Sequence, residues 1–432
     1  MRPNSIPLIL SALFILAVSS KADSRAEPAS GGSEAVIRSG ERLSVQNCVE
    51  IALERQPAML SAAYAKTAAE SRVGEARAIY YPQLNLFSTY SQSQPVLDSL
   101  RIPAYQQYSV GAALSQTFYD FGRTSSQVNA VKYSAEAAGS DVDNVRINII
   151  LGVKAAYYAF LQSRRNVEVA KETVSLFQAH LDMARSSFAV GERARYDVTK
   201  AEVDLSNAGI ALIHARNAER VAKVGLDTAI GVKADYEVVD DLNYKKYSIS
   251  LDDALKKAFE NRPDVRALSL RTQSAEKTKE AARSGYLPVL AGSAQYSSQA
   301  TMPDSWALGV TLTVPIFSGF STKYAVNETL ANYNSLVSSQ QQLSLTVYNE
   351  VSQAYLNMAE AEETIPASEL SVRLARENMD IAEGRYKEGV GTSIEVSDAQ
   401  TTLSNARLAH IQSLLNYKLT RATLEKAIGG IQ

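Results

Sequence analysis

Apolar residues recur every three or four positions over a long stretch that follows Gly122. This alternation of three and four is the heptad pattern of a helix that packs along one seam. It predicts one helix over residues 123–189, which would be roughly 100 Å long at 1.5 Å per residue. The stripe consists of Val128, Val131, Ala135, Ala138, Val142, Val145, Ile149, Val167, Ala170, Val174, Phe177, Leu181, Ala184 and Phe188.

A glycine turn and a second apolar stripe follow this helix. Gly191 marks the turn, and residues at heptad spacing resume beyond it, which predicts an antiparallel hairpin with its tip at about residues 190–195. A similar stripe over residues 326–379 leads to Gly389, and it predicts a second hairpin with its tip at about residues 388–393. Soluble coiled coils show the same pattern, so these segments alone leave both interpretations open.

The segments before each long helix alternate apolar residues with small or polar ones. A period of two predicts strands with one apolar face, and about 8–11 residues is the length of a tilted membrane-spanning strand. Two strand hairpins are predicted, at about residues 83–118 and 289–317. A half-buried soluble sheet would alternate in the same way, but aromatic residues flank these strands where a membrane interface would lie. These aromatic residues are Tyr80, Tyr81, Phe118, Tyr119 and Phe317.

The chain contains this unit twice. Residues 205–208 recur identically at 403–406, and Ala-Ile-Gly at 229–231 recurs at 427–429. Matched positions of the two copies are further apart in the chain before the first strand hairpin than after it. The first copy therefore has extra residues within that hairpin, and they are predicted to form an external loop over 94–106. The two repeats are predicted at 41–231 and 249–432, joined by a linker at 232–248.

Two strand hairpins supply four strands, and four strands cannot close a barrel. Open sheet edges are not tolerated in lipid, and the smallest bacterial barrels have about eight strands. Two chains would contribute eight strands, whose interior side chains would fill, whereas three chains would contribute twelve strands and leave room for a lumen. The expected fold is therefore a membrane β-barrel joined to a long α-helical coiled-coil barrel, built from two tandem repeats and closed only in a trimer.

The first residues and the composition narrow the location and exclude several functions. A positive Arg2 and an apolar stretch at 6–18 predict a signal peptide over residues 1–22, followed by a flexible segment at 23–40. The formal net charge of −2 gives no reason to expect nucleic acid as a partner. Cys48 is the only cysteine, and the three histidines are scattered, so no disulfide, metal site or cofactor is expected. No nucleophile motif or phosphate loop indicates an enzyme.

Taken in their duplicated order, these motifs resemble the TolC-like outer-membrane efflux family, the outer membrane factors. The resemblance covers residues 43–429 and implies a homotrimer in the lipid of the outer membrane of a Gram-negative bacterium, with a helical tunnel through the periplasm. It also implies docking to a periplasmic adaptor (membrane fusion protein) and to an inner-membrane transporter of ABC or RND type. The tip residues implied in docking are Gly191, Gly389, Val390 and Gly391. The motifs that carry the resemblance are 43–57, Tyr81-Pro82, Leu287-Pro288, 114–123, 188–198 and 386–396.

The resemblance also implies an acidic ring at the periplasmic mouth. Glu395 and Asp398 occupy the positions of the two carboxylates that line the mouth in this family. Independently of any family, residues three apart on a helix share a face, and threefold symmetry would gather six carboxylates at one constriction that favours cations. The alternative is that both are solvated surface acids.

A polar lock is the second implied feature of the mouth. Asp197 and Tyr386 occupy the positions of its acid and its tyrosine, whereas the lock arginine of the family falls on Gly391. Three nearby arginines are candidates to replace it, namely Arg193, Arg195 and Arg385.

The sequence thus predicts a passive duct that conducts substrates from an inner-membrane transporter and its adaptor to the exterior. Drug efflux and type I protein secretion are both compatible with it. The alternative is a periplasmic coiled-coil adaptor or scaffold protein, a class that combines one helical hairpin with soluble β-domains.

Overall fold

The structure of the protein is a computed structural model, which describes residues 40–94, 96–97, 100–101, 104–299 and 302–430. The predicted signal peptide, and all of the 23–40 segment except Gly40, lie outside the described residues. The predicted external loop at 94–106 is described only in part.

In the part of the chain that the structure describes, each repeat contains the same four α-helices in the same order. The two central long helices have 67 residues each, and the two short helices that precede each of them have 11 and 21. Both long helices pair with a following helix to form a hairpin. The bounds are α1 Val45–Arg55, α2 Pro57–Arg77, α3 Arg123–Ala189 and α4 Arg195–Ile230, then α5 Leu251–Asn261, α6 Pro263–Arg283, α7 Ser321–Lys387 and α8 Ser393–Ala427.

Local signals account for where the short helices begin and end. Ser44 caps α1, and Ser250 caps α5, each by accepting a hydrogen bond from the backbone N–H three residues on. Pro57 and Pro263 then open α2 and α6, where the missing N–H of proline costs no hydrogen bond. In contrast, Pro366 lies inside α7, which nevertheless continues without interruption.

The strands are β1 Glu41–Leu43, β2 Gln83–Ser93, β3 Val96–Leu97, β4 Leu100–Arg101, β5 Tyr105–Tyr119, β6 Tyr236–Val238, β7 Val289–Gln299 and β8 Met302–Thr313. The four long ones form one antiparallel sheet in the order β2–β5–β7–β8, and each end of this order is an open edge within a single chain. Leu86 pairs with Ala112, Ala112 with Tyr296, and Tyr296 with Trp306, so the predicted apolar positions share one face. The short strands β3 and β4 pair between β2 and β5, in the segment of extra residues.

The main apolar core lies around the middle of α3. Tyr157 is fully buried there, and its hydroxyl donates to the carbonyl oxygens of Leu43 and Val239. This ties the β1–β6 pair, which joins the start of the first repeat to the linker, to the long helix. Cys48 and Leu226 belong to the same core, so α1 and α4 are held against α3.

The linker crosses helices of both repeats. Asp240 forms an ion pair of 2.7 Å with Arg165 on α3, and Lys246 forms one of 2.9 Å with Glu362 on α7. Tyr417 on α8 donates to the linker carbonyl of Lys245 over 2.6 Å. The two repeats therefore share one middle section, from which the hairpins extend to their tips. Among the described helices, none has the length and apolarity needed to cross a membrane.

Candidate functional site

Both hairpins turn by the same backbone motif. At the first tip, residues 190–194, Gly191 has φ +80° and its N–H bonds the carbonyl of Phe188, while Glu192 bonds that of Ser187. At the second tip, residues 388–392, Gly389 and Val390 form the equivalent pair of bonds. These are Schellman motifs, which require a left-handed residue that glycine adopts without a steric penalty from a Cβ atom. This explains why a glycine stands at the same place in both repeats.

The second tip folds back more tightly than the first. The N–H of Gly391 donates to the carbonyl of Arg385 over 2.8 Å, and a Cβ atom at Gly391 would lie 2.9 Å from the backbone nitrogen of Tyr386. Gly391 is buried, whereas Gly191, Gly389 and Val390 are exposed. Three of the predicted docking residues are therefore accessible to solvent, whereas Gly391 supports the turn, and docking at these residues stays a prediction.

Arg193 joins the two tips. Its Nη2 donates to the carbonyl oxygens of Tyr386, at 3.3 Å, and Gly391, at 3.1 Å. Its guanidinium also stacks 4.7 Å above the centroid of the Tyr386 ring, where the negative face of the ring attracts a cation. Of the three candidate arginines, Arg193 bridges the hairpins, whereas Arg385 stays within the second hairpin, 3.3 Å from Glu395.

Tyr386 lies at the centre of the contact, 3% exposed. Burial raises the pKa of its phenol, and the nearby negative charge of Asp197 raises that pKa further. Within the described residues, the phenol oxygen has no hydrogen-bond partner, so Asp197 acts on it through charge alone. Asp197 therefore lies within electrostatic reach of Tyr386 but forms no hydrogen bond with its phenol, and the role of the pair as a lock stays a prediction.

The two acids of the predicted ring differ in their surroundings. Glu395 accepts a hydrogen bond of 3.3 Å from the Thr392 hydroxyl, which in turn caps α8 by accepting from the backbone N–H of Glu395. Together with its ion pair to Arg385, this gives Glu395 a local structural role. Asp398 is exposed one turn further along α8. Both are accessible to solvent, and a pore-lining role for either one stays a prediction.

Sequence reasoning passed over one residue of this contact, His180. Its Nε2 lies 2.9 Å from the hydroxyl of Ser393, the first residue of α8, and its ring packs 5.2 Å from the Tyr386 ring. His180 directly precedes Leu181, so it flanks the heptad stripe rather than belonging to it. Polar residues are common beside such a stripe, so the spacing alone gave no signal that His180 would be buried here. We call His180, Arg193, Tyr386, Gly391 and Ser393 the tip junction.

Further polar contacts join α3, α4 and α8 on the side of the tip junction that faces away from the tips. Lys200 and Ser397 both reach the carboxylate of Asp204, at 2.6 and 2.7 Å. Thr173 bonds Ser404 at 2.6 Å. The two hairpins are therefore joined along much of their length by side-chain hydrogen bonds rather than by apolar contacts alone, which is typical of an interface that can separate and close again.

Comparison with known proteins identifies the class that this architecture defines. The chain belongs to the outer membrane efflux protein family, which it matches over residues 48–232 and 254–430. It is 25% identical over 409 residues to the outer membrane protein TolC of Vibrio cholerae, which covers 88% of this chain and 92% of that protein. With TolC of Escherichia coli K12 the identity is 24% over 405 residues, with 86% and 79% covered.

Solved structures agree with this assignment. The Campylobacter jejuni CmeC outer membrane channel superposes with a TM-score of 0.79 at 17% identity, over 89% of this chain and 85% of that one. This likeness confirms the predicted fold of tandem repeats with a strand sheet and a long helical barrel. Family membership confirms an efflux channel of the Gram-negative outer membrane that extends into the periplasm, and it gives no support to the alternative of a periplasmic adaptor.

Proposed function

We propose that three copies of this chain form a closed duct that conducts substrates passively from a periplasmic adaptor and an inner-membrane transporter to the exterior. The observation that carries the proposal is the sheet with two open edges, β2 and β8, joined to helical hairpins of roughly 100 Å. In lipid both edges need partners, and identical chains placed around a threefold axis supply them by pairing β8 of one with β2 of the next. The result is a barrel of twelve strands.

The outer helices of the hairpins support the same assembly. In one chain α3 packs against α8, and this leaves apolar side chains of α4 and α7 exposed. Such stripes are too long for the surface of an isolated soluble protein, and they suit burial against a neighbouring copy. They include Tyr196, Val203, Ile210 and Val224 on α4, and Leu356, Leu374 and Ile381 on α7.

The tips are the proposed contact with the adaptor. Val190 is 72% and Val390 67% exposed at the far ends of the two hairpins, beside Gly191 and Gly389. An apolar side chain next to a backbone free of side chains allows close approach of a partner helix. TtgC of Pseudomonas putida, 22% identical to this chain, is described as a probable efflux pump outer membrane protein, and by this likeness we expect a tripartite assembly here.

The mouth is the proposed gate. Arg193 holds the second tip against the first, Asp197 and Tyr386 lie beside it, and Glu395 and Asp398 would form the acidic ring. Substrates pass without covalent chemistry, because the duct supplies a path and the transporter supplies the energy. Drugs, other small molecules and secreted proteins are all compatible with a duct of this kind.

The test is single-channel recording of the purified full-length protein in planar bilayers. Before reconstitution, chemical crosslinking establishes that the sample is a trimer, and fractionation establishes that it is recovered from the outer membrane. We expect discrete, cation-selective conductance. A correctly folded trimer that conducts no ions, or recovery of the protein in the soluble periplasm, would overturn the proposal.

A further inference from the structure

His180 is a titratable residue with an incomplete hydrogen-bond set inside the tip junction. It is 2% exposed in a single chain, so its surroundings are complete without the neighbouring subunits. Its Nε2 bonds the Ser393 hydroxyl at 2.9 Å, whereas its Nδ1 is buried and, within the described residues, has no partner. The imidazole therefore joins α3 of the first hairpin to the first residue of α8 in the second.

This arrangement fits only one charge state of the ring. A neutral imidazole has one N–H donor and one acceptor nitrogen, so the N–H at Nε2 can bond Ser393 while Nδ1 remains a bare acceptor. The imidazolium carries a second N–H at Nδ1, and burying that donor without an acceptor is unfavourable. The closed junction therefore excludes the proton that a hydrated histidine would take up.

Charged groups on the neighbouring helices α4 and α7 also act on the pKa of His180. Burial lowers the pKa of His180, while the carboxylates of Asp204 and Asp197 on α4 and of Glu383 on α7 act to raise it, and Lys200 on α4 lowers it. Burial prevails, because the Asp204 carboxylate already accepts from Lys200 and Ser397.

Among the residues that the structure describes, the other faces of the His180 ring meet no further acid that would compensate a positive charge. Tyr386 packs against the ring, and the guanidinium of Arg193 lies over Tyr386. On α8 the contact is the uncharged Ser393, while the carboxylates of Glu395 and Asp398 are exposed. A proton on His180 thus adds a positive charge to a junction that already holds one in Arg193.

We propose that His180 is a proton-responsive latch of the periplasmic mouth, such that its protonation separates α3 from the start of α8 and opens the duct. The inference rests on the proposed conduction through the tips, and it adds a regulatory signal to that gate. Opening hydrates Nδ1, frees Ser393 and releases the ring of Tyr386 on which Arg193 stacks. The lock and the latch therefore share one residue, Tyr386, and they loosen together.

The direction of the response follows from linkage. The closed state binds the proton less readily than an open state in which His180 is hydrated, so the closed state is favoured fully above the ordinary histidine pKa of about 6.5. Its advantage is lost as the pH falls from that value towards the lowered pKa of the closed state. Each unit of difference between the two states corresponds to about a tenfold change in the ratio of open to closed channels.

The first test measures the proton on the wild-type trimer without relying on conduction. Hydrogen–deuterium exchange at the imidazole C2 position, read by mass spectrometry, titrates each of the three histidines separately. We expect the exchange midpoint of His180 to lie below the ordinary histidine pKa of about 6.5. A midpoint at or above about 6.5 would overturn the latch.

The second test records open frequency in planar bilayers between pH about 7.5 and about 5.5, on either side of the ordinary histidine pKa. We expect a severalfold rise on acidification in wild type and in the matched control His214→Gln, and a flat response in His180→Gln, which stays uncharged. A response that persists in His180→Gln would assign it to carboxylates and overturn the proposal, as would a wild type that does not respond.

Two further outcomes distinguish a failure of the latch from a failure of the proposed duct. If His180→Gln does not assemble, Ser393→Ala replaces it: loss of the hydroxyl partner should raise the open frequency at pH about 7.5, and an unchanged frequency counts against the latch. If no variant conducts at any pH, the proposed duct fails, while the C2 exchange of wild type still decides whether His180 resists protonation.

Discussion

Arg193 donates a hydrogen bond of 3.1 Å to the carbonyl oxygen of Gly391, and this contact ties the turn of the first hairpin to the turn of the second. The resemblance to TolC-like proteins placed a lock arginine at position 391, where this chain has glycine. In this chain the donor and the acceptor have exchanged places: the backbone carbonyl at position 391 accepts the hydrogen bond, and the cationic donor, Arg193, belongs to the opposite tip. A glycine suits this task because it lets a guanidinium approach the backbone closely.

Removal of this bridge should favour the open mouth. Hydrogen bonds to charged groups contribute about 1.5–3 kcal/mol, so Arg193→Ala should raise the ratio of open to closed channels roughly tenfold or more in single-channel recordings. Arg193→Lys keeps the charge but loses the planar guanidinium that stacks on the Tyr386 ring while its Nη2 reaches two carbonyls, so it should be intermediate. Arg195→Ala, at an exposed neighbouring residue, is the matched control. Equal behaviour of the two alanine variants would refute the bridge.

The lack of space around Gly391 leads to a second prediction. A methyl group there would press on the backbone of Tyr386 and Arg385, so Gly391→Ala should distort the second tip and weaken the contact with Arg193. We expect a higher open frequency and faster proteolysis of the tip. Gly384→Ala is the control, because nothing lies within 4 Å of its added Cβ atom and alanine is favoured inside a helix. Protection of Gly391→Ala equal to that of Gly384→Ala would contradict this account.

Charge at the mouth should control ion selectivity. Replacing both Glu395 and Asp398 by alanine removes the proposed ring, so the reversal potential in a salt gradient should shift towards lower cation selectivity, and block by trivalent cations should weaken. Glu395→Gln separates charge from shape, since it retains a group that can accept from Thr392. Glu328→Ala, an exposed acid near the sheet end of α7, controls for total charge. Unchanged selectivity in the double variant would show that these acids do not line the pore.

A side-chain contact with the end of a long helix occurs in both repeats, and it leads to a prediction about stability. The Arg262 guanidinium bonds the carbonyl of Ala427 and the carboxylates of Asp264 and Glu350, while Gln56 bonds the matching carbonyl of Ala229 at 2.6 Å. Each side chain satisfies the end of a helix that would otherwise leave acceptors unpaired. Burial acts to raise the pKa of the Asp264 carboxyl, but the hydrogen bonds and the positive charge of Arg262, together with backbone N–H donors, outweigh it and lower that pKa.

Loss of the Arg262 side chain should therefore destabilise the middle of the molecule. We expect Arg262→Ala to lower the free energy of unfolding by about 1–3 kcal/mol, measured by thermal or denaturant unfolding followed by circular dichroism. Arg262→Gln imitates the first repeat and should recover part of the loss. Lys257→Ala, an exposed change on α5, should leave the transition in place. A loss equal in Arg262→Ala and Lys257→Ala would mean that the helix end needs no such partner.

Much of the scaffold could be predicted from the sequence, because its signals are local. Heptad spacing without proline specifies a long helix wherever it occurs, and α3 runs over the range that its stripe predicts. Alternation with a period of two specifies strands, and the count of four within a duplicated chain implies open edges. Left-handed glycines at 191 and 389 follow from the same logic, since each ends a helix that must reverse.

The tip junction could not be predicted in this way, because its contacts join residues that are far apart in the chain. Sequence spacing named Arg193, Arg195 and Arg385 as equivalent candidates, and only the packing of α3 against α8 brings Arg193 alone across to the other tip. The same packing turned His180, one of three scattered histidines, into the buried partner of Ser393. Periodicity thus determined the elements and their duplication, whereas the register of one hairpin against the other, which no local pattern encodes, decided which side chains meet at the mouth.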